Sequence, residues 1–228
     1  MNNNNEITTK FQLSQYCGQL NIENVTSKQS PSGFIIEAKG SDIRGNIGAV
    51  LSYVYDGHSS FKEGFCVVKK GGRYGIVDLT LKEVVAPEYQ NIKDVNEGFA
   101  VASKNSKARF INMKGYGFDE LPEVFDEADL VINGLARVRK DGKWGFYSCE
   151  DQKLVVPCEY QYAYEFSLRR DYTAVEKENL YGLVNKHGEV ILEPVFDYIN
   201  FSNWDDSFEG RIDGVMYVGG PDGTYHEK

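Results

Sequence analysis

Asn133-Gly134-Leu135-Ala136-Arg137-Val138-Arg139-Lys140-Asp141-Gly142-Lys143-Trp144-Gly145-Phe146-Tyr147-Ser148 reads as two short strands joined by a tight turn. In the first strand Ala136 and Val138 fall two apart and share a face, while Arg137 and Arg139 are expected to look toward solvent. The small residues on the shared face suggest close approach of a neighbouring layer. Lys140-Asp141-Gly142 is hairpin chemistry, because glycine accepts positive φ. The second strand starts at the Trp144-Gly145 step and stops at Ser148, a short polar residue that favours turns.

The same pattern recurs on both sides. Glu63-Gly64-Phe65-Cys66-Val67-Val68 and Glu97-Gly98-Phe99-Ala100-Val101-Ala102 precede it, and a worn copy follows at Asp171-Tyr172-Thr173-Ala174-Val175. The aromatic-glycine step returns as Tyr74-Gly75 and Tyr181-Gly182, but Ala108-Arg109 holds that place in the copy between. Each copy closes on a third segment: Val84-Val85-Ala86-Pro87-Glu88-Tyr89, Leu121-Pro122-Glu123-Val124-Phe125, Val155-Val156-Pro157-Cys158-Glu159-Tyr160 and Ile191-Leu192-Glu193-Pro194-Val195-Phe196. The closing rings Tyr89, Phe125, Tyr160 and Phe196 stand 36, 35 and 36 residues apart. Three landmarks sharing one period define a tandem repeat, the signature of stacked small units.

The reading that follows is all-β, with three-stranded antiparallel units of about 35 residues. Because one such unit cannot bury both faces, the units are expected to stack into an open superhelix. A closed ring, or a propeller-like array, is the alternative, since closure removes sheet edges. Units of this length look short for four-stranded blades, which ranks the open form first. Boundaries fall at 33–60 (an eroded unit), 61–94, 95–130, 131–166 and 167–200, with a partial unit at 201–218. Residues 1–32 match nothing else and are expected to be a terminal cap or partly disordered, and 219–228 a C-terminal tail.

The glycine-led first strand, Lys143-Trp144-Gly145 and the Val-Val-Pro…Tyr close resemble the bacterial WG repeat, also called the KWG repeat. The likeness covers roughly residues 33–218, is most specific at the third full-length unit and is degenerate in the second. It implies a β-rich repeat architecture; members of that family are generally of unknown function, so it implies no activity.

Composition narrows the classes of function. The chain of 228 residues carries 34 acidic and 25 basic side chains, a formal charge of −9, which argues against nucleic acid and anionic membranes as partners. Cys17, Cys66, Cys149 and Cys158 show no metal or redox spacing and are read as free thiols. No apolar run reaches the length of a membrane span, and Met1-Asn2-Asn3-Asn4-Asn5-Glu6 lacks the marks of a secretory signal, so a cytoplasmic protein is expected.

Chemistry-bearing motifs are sparse. Asp56-Gly57-His58-Ser59-Ser60 holds the residue types of a Ser–His–Asp set, but as neighbours on a polar loop rather than on a scaffold. His187 falls in a hairpin turn and His226 in the tail. Acidic clusters at Asp126-Glu127 with Asp129, and at Asp205-Asp206 with Glu209, miss the spacing of calcium loops. Gly115-Tyr116-Gly117 lacks the third glycine of a dinucleotide fingerprint. Glu88, Glu123, Glu159, Asp126 and Asp197 recur with the repeat, which a single active site would not require. No catalytic residue, metal or cofactor is therefore assigned. What remains is aromatic. Trp144, Tyr74 and Tyr181 occupy equivalent positions, and Trp204 sits among Asn203 and Asp205-Asp206 in the least core-like context. Tyr160, Tyr162, Tyr164 and Phe166 alternate and are read as core, with the tyrosines near enough to a strand end to reach solvent. The expected function is a non-catalytic scaffold that binds a protein or peptide, with Trp204, Trp144, Tyr74 and Tyr181 as contacts. The alternatives are a small-ligand or glycan-binding domain, or a carboxylate-based hydrolase.

Overall fold

The computed structural model describes residues 20–31, 33–42, 47–115, 118–202 and 205–228. These residues form strands and turns without a helix, arranged as six antiparallel sheets, one of three strands and five of four. Packing divides the chain into two compact units. One runs up to Asn105 and includes Met113–Phe118; the other comprises Ser106–Asn112 and Asp119–Lys228.

In the first unit, β1 (Leu20–Ser30), β2 (Gly33–Asp42) and β3 (Ile47–Tyr55) form the three-stranded sheet. The next sheet is β4 (Gly57–His58), β5 (Phe65–Lys70), β6 (Arg73–Asp78) and β7 (Glu83–Tyr89), and β8 (Asn91–Asn96) and β9 (Phe99–Lys104) open the third. Ile36, Tyr55, Cys66, Val68, Val77, Leu79 and Leu81 make one buried cluster, to which Cys66 and Val68 bring the face of β5 that their spacing assigned.

The second unit holds β10 (Lys107–Asn112) and β11 (Glu120–Phe125), then three complete sheets. They are β12 (Glu127–Ile132), β13 (Leu135–Lys140), β14 (Lys143–Ser148) and β15 (Lys153–Tyr160); β16 (Tyr162–Ala163), β17 (Tyr172–Lys177), β18 (Leu180–Asn185) and β19 (Val190–Phe196); and β20 (Tyr198–Phe201), β21 (Phe208–Ile212), β22 (Val215–Gly219) and β23 (Tyr225–Glu227). Leu135, Phe146, Val156, Tyr160, Ala163, Phe166, Val175 and Val184 pack into one core cluster that joins the first two of these sheets. Phe196, Ile199 and Phe208 join the second to the third. Burying a side chain the size of Phe146 contributes about 3 kcal/mol, so these shared cores bind successive sheets together.

The three strands expected in each unit are present, and a short fourth precedes them. In β8 and β12 the buried residues are Ile92 with Val95 and Ala128 with Val131, three apart instead of two. The spacing follows from a register shift between Lys93 and Asn96, and another between Ala128 and Val131. A β-bulge of this kind breaks the alternation by which a strand is recognised. The sheets therefore start just after each closing aromatic, a few residues away from the unit boundaries read from the repeat. Four strands fit in about 35 residues because most are six residues long or shorter and the second and third strands of each four-stranded sheet are joined by two-residue turns, which removes the length argument against four-stranded units. Asn133 (φ 55°) with Gly134 (φ 82°), and Asp141 (φ 52°) with Gly142 (φ 77°), are left-handed pairs of this type.

Both ends of the chain carry strands that the repeat alone did not mark. Leu20–Ser30 is a strand paired with β2, so part of the segment assigned to a cap or disorder belongs to a sheet. At the other end Tyr225, His226 and Glu227 pair with Gly219, Val218 and Tyr217, so the tail completes the unit that was read as unfinished. The turn that returns the chain is closed by Gly223, whose N–H donates to Gly220 O at 3.1 Å.

The glycine of the aromatic-glycine step has a steric cause. Tyr74 lies opposite Tyr89 and Ile76 opposite Val85, so Ala86-Pro87-Glu88 bulges against Gly75. A Cβ there would meet Val85 O at 2.5 Å and Pro87 N at 2.8 Å. Gly145 faces Pro157-Cys158-Glu159 and Gly182 faces Glu193-Pro194-Val195 in the same way, with Cβ distances of 2.5 Å to Val156 O and 2.4 Å to Leu192 O.

Candidate functional site

The middle residue of the first strand is apolar and buried in the other copies: Val67, Val101 and Ala174. Arg137 holds that slot in β13 with its side chain 15% exposed, and does not project into solvent as its alternation with Ala136 and Val138 suggested. A charge so placed needs partners. The bulge of β12 sets Asp129 opposite it, and Arg137 Nε donates to Asp129 Oδ2 at 2.9 Å while Nη2 lies 2.8 Å from the same oxygen. Nη1 donates to Ala163 O at 2.8 Å, and Glu165 lies 3.4 Å from Nη2. Burial works against the charge, but Asp129 leads the interactions that hold the guanidinium ionised and raise its pKa. Arg139, the other arginine of the strand, pairs with Glu127 at 2.6 Å in a more exposed position.

Aromatic rings extend from Arg137 in a continuous series. The guanidinium lies 4.7 Å from the Trp144 ring centre and 5.7 Å from that of Tyr162. Tyr162 meets Tyr164 edge to face at 5.2 Å, and Tyr164 meets Tyr181 at 6.3 Å and Phe201 at 6.4 Å. Arg170 caps the far end, 4.4 Å from the Phe201 ring centre. Tyr162 and Tyr164 are 39% and 38% exposed, and Tyr198 nearby is 44% exposed. Tyr160 and Phe166 are buried, so the alternating tyrosine series splits: the chain leaves one sheet at Tyr160 and enters the next at Tyr162. The backbone of Tyr164 is fixed on both sides, its N–H donating to Ala174 O at 2.9 Å and its carbonyl accepting from Thr173 Oγ1 at 3.0 Å.

A carboxylate sits within this face. Register places Glu176 between Tyr162 on one neighbouring strand and Tyr181 on the other. Burial followed by the Glu176 charge raises the pKa of Tyr181. Burial and the neighbouring Tyr162, Tyr198 and Glu176 do the same to Tyr164.

The four residues singled out from the sequence fare differently. Trp144 and Tyr181 are half-buried and belong to the series just described. Tyr74 is half-buried in the first unit, opposite Tyr89 and with Lys69 Nζ 5.2 Å from its ring centre, apart from that series. Trp204 lies outside the described residues, as do Tyr116 and Gly117 of the glycine motif and Cys17. Tyr162, Tyr164 and Arg137, which continue that series, were not singled out from the sequence.

The second unit also has a polar cleft of about 420 Å³ lined in part by Asn133, Leu168, Asp171, Tyr172, His187 and Asp206. Lys186 at 2.8 Å and Asn133 at 3.2 Å hold the Asp171 carboxylate below its usual range.

The residue types of a triad do not assemble. His58 belongs to β4 rather than to a loop, with Nδ1 2.7 Å from the carbonyl of Ser59 and Nε2 2.8 Å from Ser27 Oγ. The Asp56 carboxylate instead accepts from Gly72 N–H at 3.4 Å. The repeated carboxylates serve the repeat. Glu88, Glu123 and Glu159 pair with Lys104, Lys140 and Lys177 at 3.1, 2.9 and 3.1 Å. Asp126 and Asp197 accept from the hairpin N–H groups of Gly142 at 3.2 Å and Asp213 at 3.0 Å. Among the described residues no group of three or more His, Cys, Asp or Glu is placed to hold a metal ion, and no helix is long and apolar enough to cross a membrane. Cys66, Cys149 and Cys158 are free thiols, and burial pushes Cys66 up to about 12 and Cys158 up to about 11.

Comparison with known proteins places these elements in context. No curated protein matches the chain. Among solved structures, Kluyveromyces lactis Hsv2 with loop 6CD replaced by a Gly-Ser linker is 13% identical, with 86% of this chain and 74% of that chain covered at a TM-score of 0.46. Unaltered Kluyveromyces lactis Hsv2 is 11% identical over 86% and 71% at 0.43. PorZ of Porphyromonas gingivalis, a bacterial surface component of the type-IX secretion system, is 10% identical over 92% and 32% at 0.37. The model of the WG containing repeat matches residues 45–74, 74–107, 122–144, 150–181 and 181–203, more than half of the chain. With the aromatic-glycine steps at 74 and 181 inside those matches and Trp144 at the end of another, the chain belongs to the WG repeat family.

Proposed function

We propose that this chain is a non-catalytic repeat scaffold that binds a protein or peptide through the face running from Trp144 and Arg137 across Tyr162 and Tyr164 to Tyr181 and Phe201. The observation that carries the reading is that Tyr162 and Tyr164 are exposed yet linked ring to ring with half-buried neighbours on adjacent sheets. Tyrosines give large contact area with little conformational entropy to lose, and the fixed backbone of Tyr164 lowers that cost further. Selection of displayed random peptides on the immobilised chain tests it. Enriched peptides should lose binding to a Tyr162→Ala/Tyr164→Ala variant whose thermal unfolding is nearly unchanged; peptides held equally by that variant would overturn this assignment of the face. The cleft beside Asp171 favours a second reading, a small hydroxyl-bearing ligand held by Asn133, Asp171 and Asp206. That reading predicts saturable binding of a sugar from a monosaccharide panel, abolished by Asp171→Ala.

A further inference from the structure

Within the proposed face, one acidic side chain stands among three tyrosines. Glu176 pairs with no lysine or arginine among the described residues, whereas its neighbours Glu159 and Glu165 pair with Lys177 and Arg137. Tyr162 and Tyr181 lie on the two strands flanking it, about 10 Å apart from the usual strand spacing. Tyr164 is set against both, in ring contact with Tyr162 at an interplanar angle of 88° and with Tyr181 at 54°. The planes of these rings are turned steeply from one another, so their π-faces look in different directions around Glu176. Their π-faces and the central carboxylate all attract positive charge.

We propose that Tyr162, Tyr164, Tyr181 and Glu176 form a cation-binding site that takes the ammonium group of a lysine side chain on a partner peptide. This rests on the reading of the face as an interaction surface and names the chemistry of its partner. Lysine fits better than arginine. Glu176 is a single carboxylate whose charge acts on both Tyr164 and Tyr181. A compact cation can meet it as a point charge, whereas a guanidinium is suited to two-pronged pairing. Arg137 lies 5.7 Å from the Tyr162 ring centre, and Asp129 and Glu165 balance its charge, so Tyr164 and Tyr181 are the rings left to a second cation. The formal charge of −9 adds long-range attraction for a basic segment. Methylation of the ammonium lowers its cost of desolvation while keeping the charge, so trimethyllysine should bind more tightly than lysine.

The test is an NMR titration of the full chain, with tyrosine ring resonances observed, against three capped peptides that differ at one position: lysine, trimethyllysine and uncharged norleucine. The expected result is saturable shifts of Tyr162, Tyr164 and Tyr181 with the two charged peptides, trimethyllysine the tighter, and none with norleucine. Glu176→Gln should weaken the charged peptides about fivefold and Tyr164→Leu about tenfold, on the scale of a partly desolvated cation–π contact. Equal response to norleucine, or unchanged affinity in Glu176→Gln, overturns the site. If displayed peptides without lysine are enriched and still require Tyr162 and Tyr164, the interaction face stands and the cation site falls. If no displayed peptide depends on those rings but trimethyllysine binds and Glu176→Gln weakens it, the site stands without the broader face.

Discussion

The sheet of β12–β15 and the pair β10–β11 meet the same steric problem, one with glycine and one without. In the first, Pro157-Cys158-Glu159 bulges onto Gly145, where a Cβ would lie 2.5 Å from Val156 O and 2.7 Å from Pro157 O. In the second, Ala108 still pairs with Phe125, but Arg109 pairs with Val124 and the register breaks only before Ile111. The bulged residues Leu121-Pro122-Glu123 therefore face Phe110, one residue further along. Arg109 can carry a side chain because the neighbouring backbone no longer presses on it, and that side chain pairs with Glu120. The family's glycine is thus a response to where the third strand bulges. It is not a demand for positive φ, which none of Gly75, Gly145 and Gly182 adopts.

The largest effect expected from this comparison is at Gly145. Gly145→Ala should cost about 3 kcal/mol in denaturant unfolding, because the obstructing atoms are backbone and cannot turn aside as a flexible side chain would. The control is Gly142→Ala, at a left-handed turn position with nothing within 4 Å, where only backbone strain applies and about 1 kcal/mol is expected. Equal losses at the two positions would remove the steric account.

A smaller effect is expected from restoring the family residue at the exceptional site. Arg109→Gly should destabilise by about 1 kcal/mol, from added unfolded-state freedom and the lost Glu120 pair. If it stabilises instead, the bulge has slid back to the glycine and its position is set by residue 109 rather than by β11.

The same contrast explains what could be read from residues alone. Glycine steps, two-residue turns and closing aromatics are imposed by the backbone, so they recur visibly and located the strands β5 to β7 and their later copies. The strands β8 and β12 escaped because a bulge spaces Ile92 from Val95 and Ala128 from Val131 by three. Of the candidate face, only Trp144 and Tyr181 had been singled out from the sequence. Arg137 looked like a surface residue because alternation predicts a face and not which faces are covered, and in this sheet both are. A comparison of Arg137 with Val67, Val101 and Ala174 at the same repeat position was the available signal. Tyr162 and Tyr164 were read as core from their alternation with Tyr160 and Phe166, with only their nearness to a strand end pointing to solvent, since nothing in the spacing marks where one sheet gives way to the next.

The smallest effect concerns the residue after each closing aromatic, and it contrasts Asp126 with Gln161. Asp126 accepts from the hairpin N–H of Gly142 at 3.2 Å, and Lys107 is the first cause that holds its carboxyl below the usual range. Gln161, one sheet later, does the same work without charge, its amide oxygen accepting from Glu178 N–H at 3.0 Å. A carboxylate whose pKa is lowered by folding contributes stability above its unfolded pKa and loses it as the pH falls through the folded value. Asp126→Asn keeps an acceptor for the turn and removes the titration. Its stability at neutral pH should therefore change little, as for most exposed ion pairs, while its loss of stability below the ordinary carboxylate range becomes shallower than that of the wild type. Thermal unfolding followed as the pH is lowered from neutral distinguishes the two roles. A drop at neutral pH as large as that of Gly142→Ala would mean that the charge, and not the turn bond, is what this position requires; parallel acid limbs would mean that Asp126 does not contribute to the pH dependence.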